Sequence, residues 1–208
     1  MNYLHKSQLR NGIILTAILF LLFFETKGQE WKLAKVKSGV TVYTREADGS
    51  PIKEFKANKD FNAPLHQVKE AILDIENYSN WYDHCKTAEV VKTGADGSMI
   101  YYVEYSMPFP FNNRDVVSEL TVTESDKEIM INLTQKEGIV DEKDGIIRMP
   151  VAKGVWKLTK IDDQHTQVLH QYLGDPAGNI PGGIVNMFLV AGPINTLTKL
   201  EELLKENK

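Results

Sequence analysis

Residues 180–207 read "IPGGIVNMFLVAGPINTLTKLEELLKEN". The spacing predicts a helix from about Gly182 to Glu206, kinked at Pro193, which cannot continue the ladder of helical hydrogen bonds. Leu197, Leu200, Leu203 and Leu204 make its second half amphipathic. The first half is different. Ile184, Val185, Met187, Phe188, Leu189 and Val190 point in nearly every direction around the axis. A helix that is apolar all round must be covered all round, yet a sheet packed against one side leaves the other to water. This segment needs a second apolar partner.

Working back along the chain, strand patterns occur at 40–45, 52–61, 88–93, 99–107, 114–125, 128–135, 154–161 and 166–173. The letters "ADGS" occur twice, at 47–50 and 95–98. Their Asp-Gly step signals a hairpin turn, because glycine accepts the positive φ such turns require. Between these hairpins, Leu65, Val68, Ala71, Ile72 and Ile75 form one apolar stripe of a helix, with Asn62 as candidate cap and Pro64 near the start. Strands in runs with helices beside them indicate an α+β domain. No linker or low-complexity stretch divides residues 29–208, so a single domain is expected.

The first 28 residues stand apart. Lys6 and Arg10 precede "GIILTAILFLLFF", Gly12 to Phe24, an apolar run of 13 residues. That is short of the roughly 20 residues needed to span a bilayer. With small Thr26 and Gly28 following, it reads as a signal peptide cleaved near residue 28; the alternative is an uncleaved anchor. An exported protein, periplasmic or extracellular, is expected. Loss of residues 1–28 removes three basic residues and one acid, shifting the net charge from −4 to −6. That charge argues against binding nucleic acid or adhering to membranes through broad positive charge. Cys85 is the single cysteine, so no internal disulfide can form and the fold rests on its apolar core.

The stretch "SMPFPFNNRDVVSELTV", Ser106 to Val122, raises a second question. Counting by twos from Arg114 gives Val116, Ser118, Leu120 and Val122, so the arginine shares a face with apolar residues. A buried charge persists only when it is hydrogen-bonded. Either Arg114 folds back onto a carboxylate or onto chain carbonyls, or it presents its cation to a polar group of a ligand.

Three segments together resemble the START family of lipid-transfer domains. These are "PFPFNNRDVV" at 108–117, "NYSNWYDHC" at 77–85, and "YLGDPAGNIPGGIVNMFLVAGPINTLTKLEEL" at 172–203. The resemblance covers roughly residues 30–205. It implies a helix-grip fold, in which a curved antiparallel sheet wraps around the long C-terminal helix and leaves an internal tunnel for one lipid or sterol. That guest supplies the second partner for the first half of the helix. Strand face and helix position suggest Trp81, Tyr105, Met107, Phe109, Met187, Phe188 and Ala191 as tunnel liners, with Arg114 near one end. The implied partners are a hydrophobic small molecule and, transiently, a membrane from which to collect it, with the protein acting as a monomer.

Catalytic signals are sparse. No Gly-rich phosphate loop, zinc spacing or Gly-x-Ser-x-Gly elbow occurs, and no cofactor or metal is expected. His84 adjoins Cys85 without a reason to face it. His170, in register with Val168 and Tyr172, is expected to be a hydrogen-bonded core histidine; His66 and His165 fall at exposed positions. Aspartates 141 and 144 with Glu142 read as a solvated turn. The expected function is to bind, and to transfer, a lipid, sterol or similar molecule without chemistry. The alternative, from the same cavity-bearing fold, is a polyketide cyclase or aromatase, and a ligand-sensing receptor is a third reading.

Overall fold

The computed structural model describes residues 30–47 and 52–206. The leader and residues 48–50 of the first "ADGS" turn lie outside these residues. Strands β1 (Lys32–Lys37), β2 (Val40–Glu46) and β3 (Lys53–Phe61) form a meander, followed by helix α1 (Leu65–Leu73) and the short helix α2 (Tyr78–Trp81). Strands β4 (Cys85–Thr93), β5 (Met99–Tyr105), β6 (Asn113–Glu124), β7 (Glu128–Gln135), β8 (Ile146–Arg148), β9 (Val151–Lys160) and β10 (Thr166–Asp175) come next. The order across the sheet is β1-β2-β3-β10-β9-β7-β6-β5-β4, antiparallel throughout, with β8 pairing in parallel with the start of β6. The long crossover joins the two meanders through the β3–β10 pair at the middle of the sheet.

The C-terminal segment lies against this sheet as expected of a helix grip. It runs from α3 (Gly182–Asn186) through a wider turn at Met187–Ala191 into α4 (Gly192–Glu206). In the wide turn the Gly192 N–H reaches back to the Met187 carbonyl, one residue further than in an α-helix. The cause is Pro193, which has no N–H to donate and whose ring crowds the preceding turn; widening the turn accommodates it. The kink expected at Pro193 is therefore an extra residue in the turn before it. Beyond it, Ile194, Leu197, Leu200 and Leu204 are buried in one core with Val40, Val42, Ala57 and Phe61. Lys59 pins the same helix: its ammonium, 7% exposed, donates to the Ser38 carbonyl at 2.7 Å and lies 3.4 Å from Glu201.

Two local expectations change. Helix α1 begins one residue after Pro64, which occupies the cap position, and it ends at Leu73 because Asp74 leaves helical geometry. Asn62 is not its cap, although Val68, Ile72 and Ile75 are buried as the stripe predicts. Strand β1 has no clear signature, because a bulge between Leu33 and Lys35 breaks the two-residue alternation.

In β6, Arg114, Val116, Ser118 and Leu120 are buried on the inner face, while Val122 at the far end is 36% exposed. The outer face is buried too at Asp115 and Val117, since Arg148 of β8 covers it with a two-pronged ion pair to Asp115 at 2.7 and 3.1 Å. The neighbouring Arg-Asp residues thus serve opposite faces of one strand.

Candidate functional site

Between the sheet and the C-terminal segment lies a cavity of about 500 Å³, within the range of small-molecule sites. Its roof is the start of the C-terminal segment, through Val185, Phe188, Leu189 and Pro193. Its floor is Phe55 of β3 with His170 and Tyr172 of β10, and its walls include Tyr82, Tyr105, Met107, Arg114 and Met149. This resolves the puzzle of the all-apolar half-helix. Only Leu189 of that half is fully buried; Val185 and Phe188 are half-buried and turn toward the cavity.

Arg114 is 3% exposed and its guanidinium donates to three main-chain carbonyls: Pro176 at 2.8 Å, Ala177 at 3.3 Å, and Asn112 in a short bond. Of the two options the sequence left open, the chain-carbonyl anchor is realised. It ties the "PFPFNN" loop to the turn that leads from β10 to the roof. Burial lowers the guanidinium pKa. Arg114 is also among the residues that line the cavity.

The floor is aromatic. The His170 ring stacks on Trp156, centroids 3.6 Å apart and planes 1° from parallel, with Phe55 edge-on at 5.1 Å and Tyr82 and Tyr172 at 6.1 and 6.3 Å. The expected hydrogen bond to His170 is not there: neither ring nitrogen has a partner among the described residues, and the ring is 1% exposed. A buried polar group without a partner costs about 1–3 kcal/mol. Burial drives the imidazole pKa down to about 3, so it is neutral at ordinary pH. The phenols of Tyr82, Tyr105 and Tyr172 are pushed up by burial, although their surfaces are only half covered. All three residues line the cavity, although the Tyr172 hydroxyl itself is closed off.

This histidine makes stability depend on pH. Unfolded, it binds a proton near pH 6.5; folded, only near 3. Between these values the unfolded chain carries more protons, so stability drops as pH falls through 6.5 toward 3. The slope is up to about 1.4 kcal/mol per pH unit. Urea unfolding at pH 7, 6 and 5 is expected to show this limb in the wild type and to lose it in His170→Phe. Carboxylates add their own losses mainly below about pH 5.

The structure brings together four of the residues singled out from sequence at the cavity: Tyr105, Met107, Arg114 and Phe188. The others lie elsewhere. Trp81 is 1% exposed in the core, against Tyr78 and Trp156. Phe109 is 97% exposed at the tip of its loop. Met187 is half-buried away from the cavity and Ala191 is exposed; the wide turn at 187–191 adds a residue, so faces counted at 3.6 residues per turn fall out of phase. Sequence reasoning missed Val185 and Leu189, a four-residue step that could have found them. It also missed Phe55, Tyr82, Met149 and Ile180, the last two delivered by irregular segments that have no period to read.

At the mouth, Asp83 holds the roof helix. Its carboxylate accepts from Asn195 and Lys199, both at 3.1 Å, and its main-chain N–H donates to Thr196 Oγ1 at 3.1 Å. Beside it, His84 rests on the Phe188 ring at 4.8 Å. Among the described residues, no group of three or more His, Cys, Asp and Glu is placed to hold a metal ion, and no helix is long and apolar enough to cross a membrane.

Comparison with known proteins agrees with this geometry. The chain is 31% identical over 189 residues to an uncharacterised protein of Pseudomonas aeruginosa, covering 90% of this chain and 93% of that one. It is 26% identical over 165 residues to the phosphatidylcholine transfer protein of Rattus norvegicus, covering 76% of each. Among solved structures, a fragment of the STAR-related lipid transfer protein of Xanthomonas axonopodis superposes with a TM-score of 0.76 at 29% identity, covering 84% of this chain and 98% of that one. The START domain profile itself matches residues 19–208, and the chain belongs to the START domain family.

Proposed function

We propose that the protein binds one lipid, sterol or similar hydrophobic molecule in the cavity and carries it between membranes without altering it. The observation that carries this reading is the interior of about 500 Å³ bounded by Phe55, Met107, Val185, Phe188 and Leu189. Moving an alkyl chain from water into such a space stabilises the complex by roughly 0.8 kcal/mol per CH₂. The relatives named for lipid transfer support the same cargo class.

Carriage rather than catalysis is supported by His170, the one buried histidine among the described residues. A general base needs a pKa near working pH and an orienting partner, whereas His170 is held neutral down to about pH 3 and has no hydrogen-bond partner among the described residues. Loading requires the roof to move. Gly182 and Gly183 at its start meet nothing where a Cβ would stand, which suits them to act as the hinge. Phe109, fully exposed on the loop whose Met107 lines the cavity, gives that loop an apolar tip to enter a membrane surface during exchange. Residues 1–28 serve as a cleaved export signal that places the carrier in the periplasm or outside the cell, and the carrier works there as a monomer.

The test uses donor vesicles holding a self-quenched fluorescent phosphatidylcholine or sterol, unlabelled acceptors, and the purified protein. The rate of dequenching is expected to rise in proportion to protein, and to fall several-fold in Gly183→Pro. No acceleration with any lipid overturns the transfer reading. N-terminal sequencing of the protein from its native cells is expected to begin near residue 29; an intact Met1 overturns cleavage.

A further inference from the structure

Strand β1, at the open edge of the sheet, reads "KLAKVK" from Lys32 to Lys37, and all six residues are exposed. It carries three lysines and no acid in a chain whose net charge is −4. None of the three makes an ion pair among the described residues. Between them stand Leu33 and Val36, each 61% exposed; of the large apolar side chains described, only Phe109 is more open. The register sets these two beside Tyr43 and Thr41 of β2. That is the face turned away from the core, since Val40 and Val42 point inward. Trp31 lies on the same face. The Arg45 guanidinium is 4.4 Å and the Lys56 ammonium 4.6 Å from its ring centre, and Lys56 is also 5.2 Å from the Tyr43 ring. Of these cations only Arg45 has a carboxylate partner, Glu54 at 2.6 Å. Glu30 and Glu46, the other acids of this edge, both lie beyond its Lys32 end.

Lysines alone are an ordinary guard against pairing at a sheet edge. A guard leaves Leu33 and Val36 unexplained, because polar residues there would serve it better. Bare aliphatic side chains beside tryptophan, tyrosine and unpaired lysines are the composition that settles where lipid headgroups meet acyl chains. We propose that this edge, Trp31 to Lys37 with Tyr43 and Lys56, docks the protein on the surface of an anionic lipid bilayer. The inference goes beyond the carrier reading, since it concerns where the protein rests and not what it encloses. The lysines meet negative headgroups while Leu33 and Val36 enter the headgroup layer. The negative charge of the chain as a whole opposes broad adhesion, and a single basic edge orients the molecule so that this edge alone meets the lipid. The apolar pair lies across the sheet from the cavity, whose floor includes Phe55 on the inner face, so docking leaves the cavity free.

Trp31 reports the contact. Trp81 and Trp156 are 1% and 0% exposed, so a blue shift of tryptophan emission on adding vesicles arises at Trp31. The purified full chain is titrated with phosphatidylcholine vesicles, alone or with about a third phosphatidylglycerol, and binding is also read by co-sedimentation. Affinity for the anionic vesicles is expected to be about tenfold or more above that for neutral ones, and to weaken at high salt. Replacing Lys32, Lys35 and Lys37 together by glutamine is expected to lower it about tenfold or more. Leu33→Ser with Val36→Ser is expected to lower it several-fold and leave its salt dependence in place. All five side chains are exposed, so urea unfolding midpoints are expected to hold. Equal binding to both vesicle types overturns the proposal, as does a triple glutamine variant that binds like the wild type. Retention on heparin without vesicle binding assigns the lysines to an acidic macromolecule and overturns it too. So does self-association that Leu33→Ser with Val36→Ser abolishes, if vesicles are not bound. Lipid held in the cavity is expected to be the same in the triple variant, so failure here leaves the carrier reading standing.

Discussion

Val185→Trp combined with Leu189→Trp is expected to abolish lipid retention while leaving the fold intact. Both side chains line the cavity from the roof, and their four-residue spacing puts the added indoles over one stretch of floor. The indoles would occupy the interior that a guest otherwise fills. Filling a space lined by Phe55, Met107 and Phe188 buries further apolar surface, so stability is expected to hold or rise. Lipid recovered per protein is expected to fall by about tenfold or more, because the filled interior leaves no complementary site. Unchanged retention would place the lipid somewhere other than this cavity.

Arg114→Met is expected to produce the largest loss of stability of any single substitution at the site. Methionine keeps much of the length and apolar stem but leaves the carbonyls of Asn112, Pro176 and Ala177 without their donor. The three carbonyls belong to one exposed and two half-buried residues, so losing their donor costs about 1 kcal/mol each, roughly 3 kcal/mol together. Urea unfolding reads that loss. Hydrogen exchange is expected to locate it, with amides of residues 176–185 exchanging faster, because the anchor joins the loop at 106–113 to the turn that feeds the roof. A looser roof also admits and releases lipid faster. A change in unfolding midpoint under about 1 kcal/mol would show that the three bonds contribute little beyond what water supplies.

Much of this was readable from sequence for identifiable reasons. The strands alternate cleanly, and the all-apolar start of the C-terminal segment demanded a second partner, which the cavity between sheet and helix now accounts for. Arg114 was legible as buried and bonded, but its partners were not, since the carbonyls of Pro176 and Ala177 lie more than 60 residues away. Tyr105 was reachable because it ends a regular strand, and Met107 because it continues the same alternation two residues into the loop. Ala191 and Met187 were misplaced because the turn before Pro193 departs from 3.6 residues per turn. Trp81 was misplaced because an aromatic near a cavity and an aromatic under it share the same sequence pattern. His170 was expected to be satisfied, but its ring nitrogens have no partner among the described residues; its ring instead stacks on Trp156, a pairing between strands that no single segment encodes.

The central claim is that the protein encloses a guest, and the most direct measurement is to purify it from its native cells without detergent, extract it with organic solvent, and weigh what comes out. About one chemically unmodified lipid per folded chain is the predicted result. A folded protein that yields none, and takes none up from vesicles, contradicts the account.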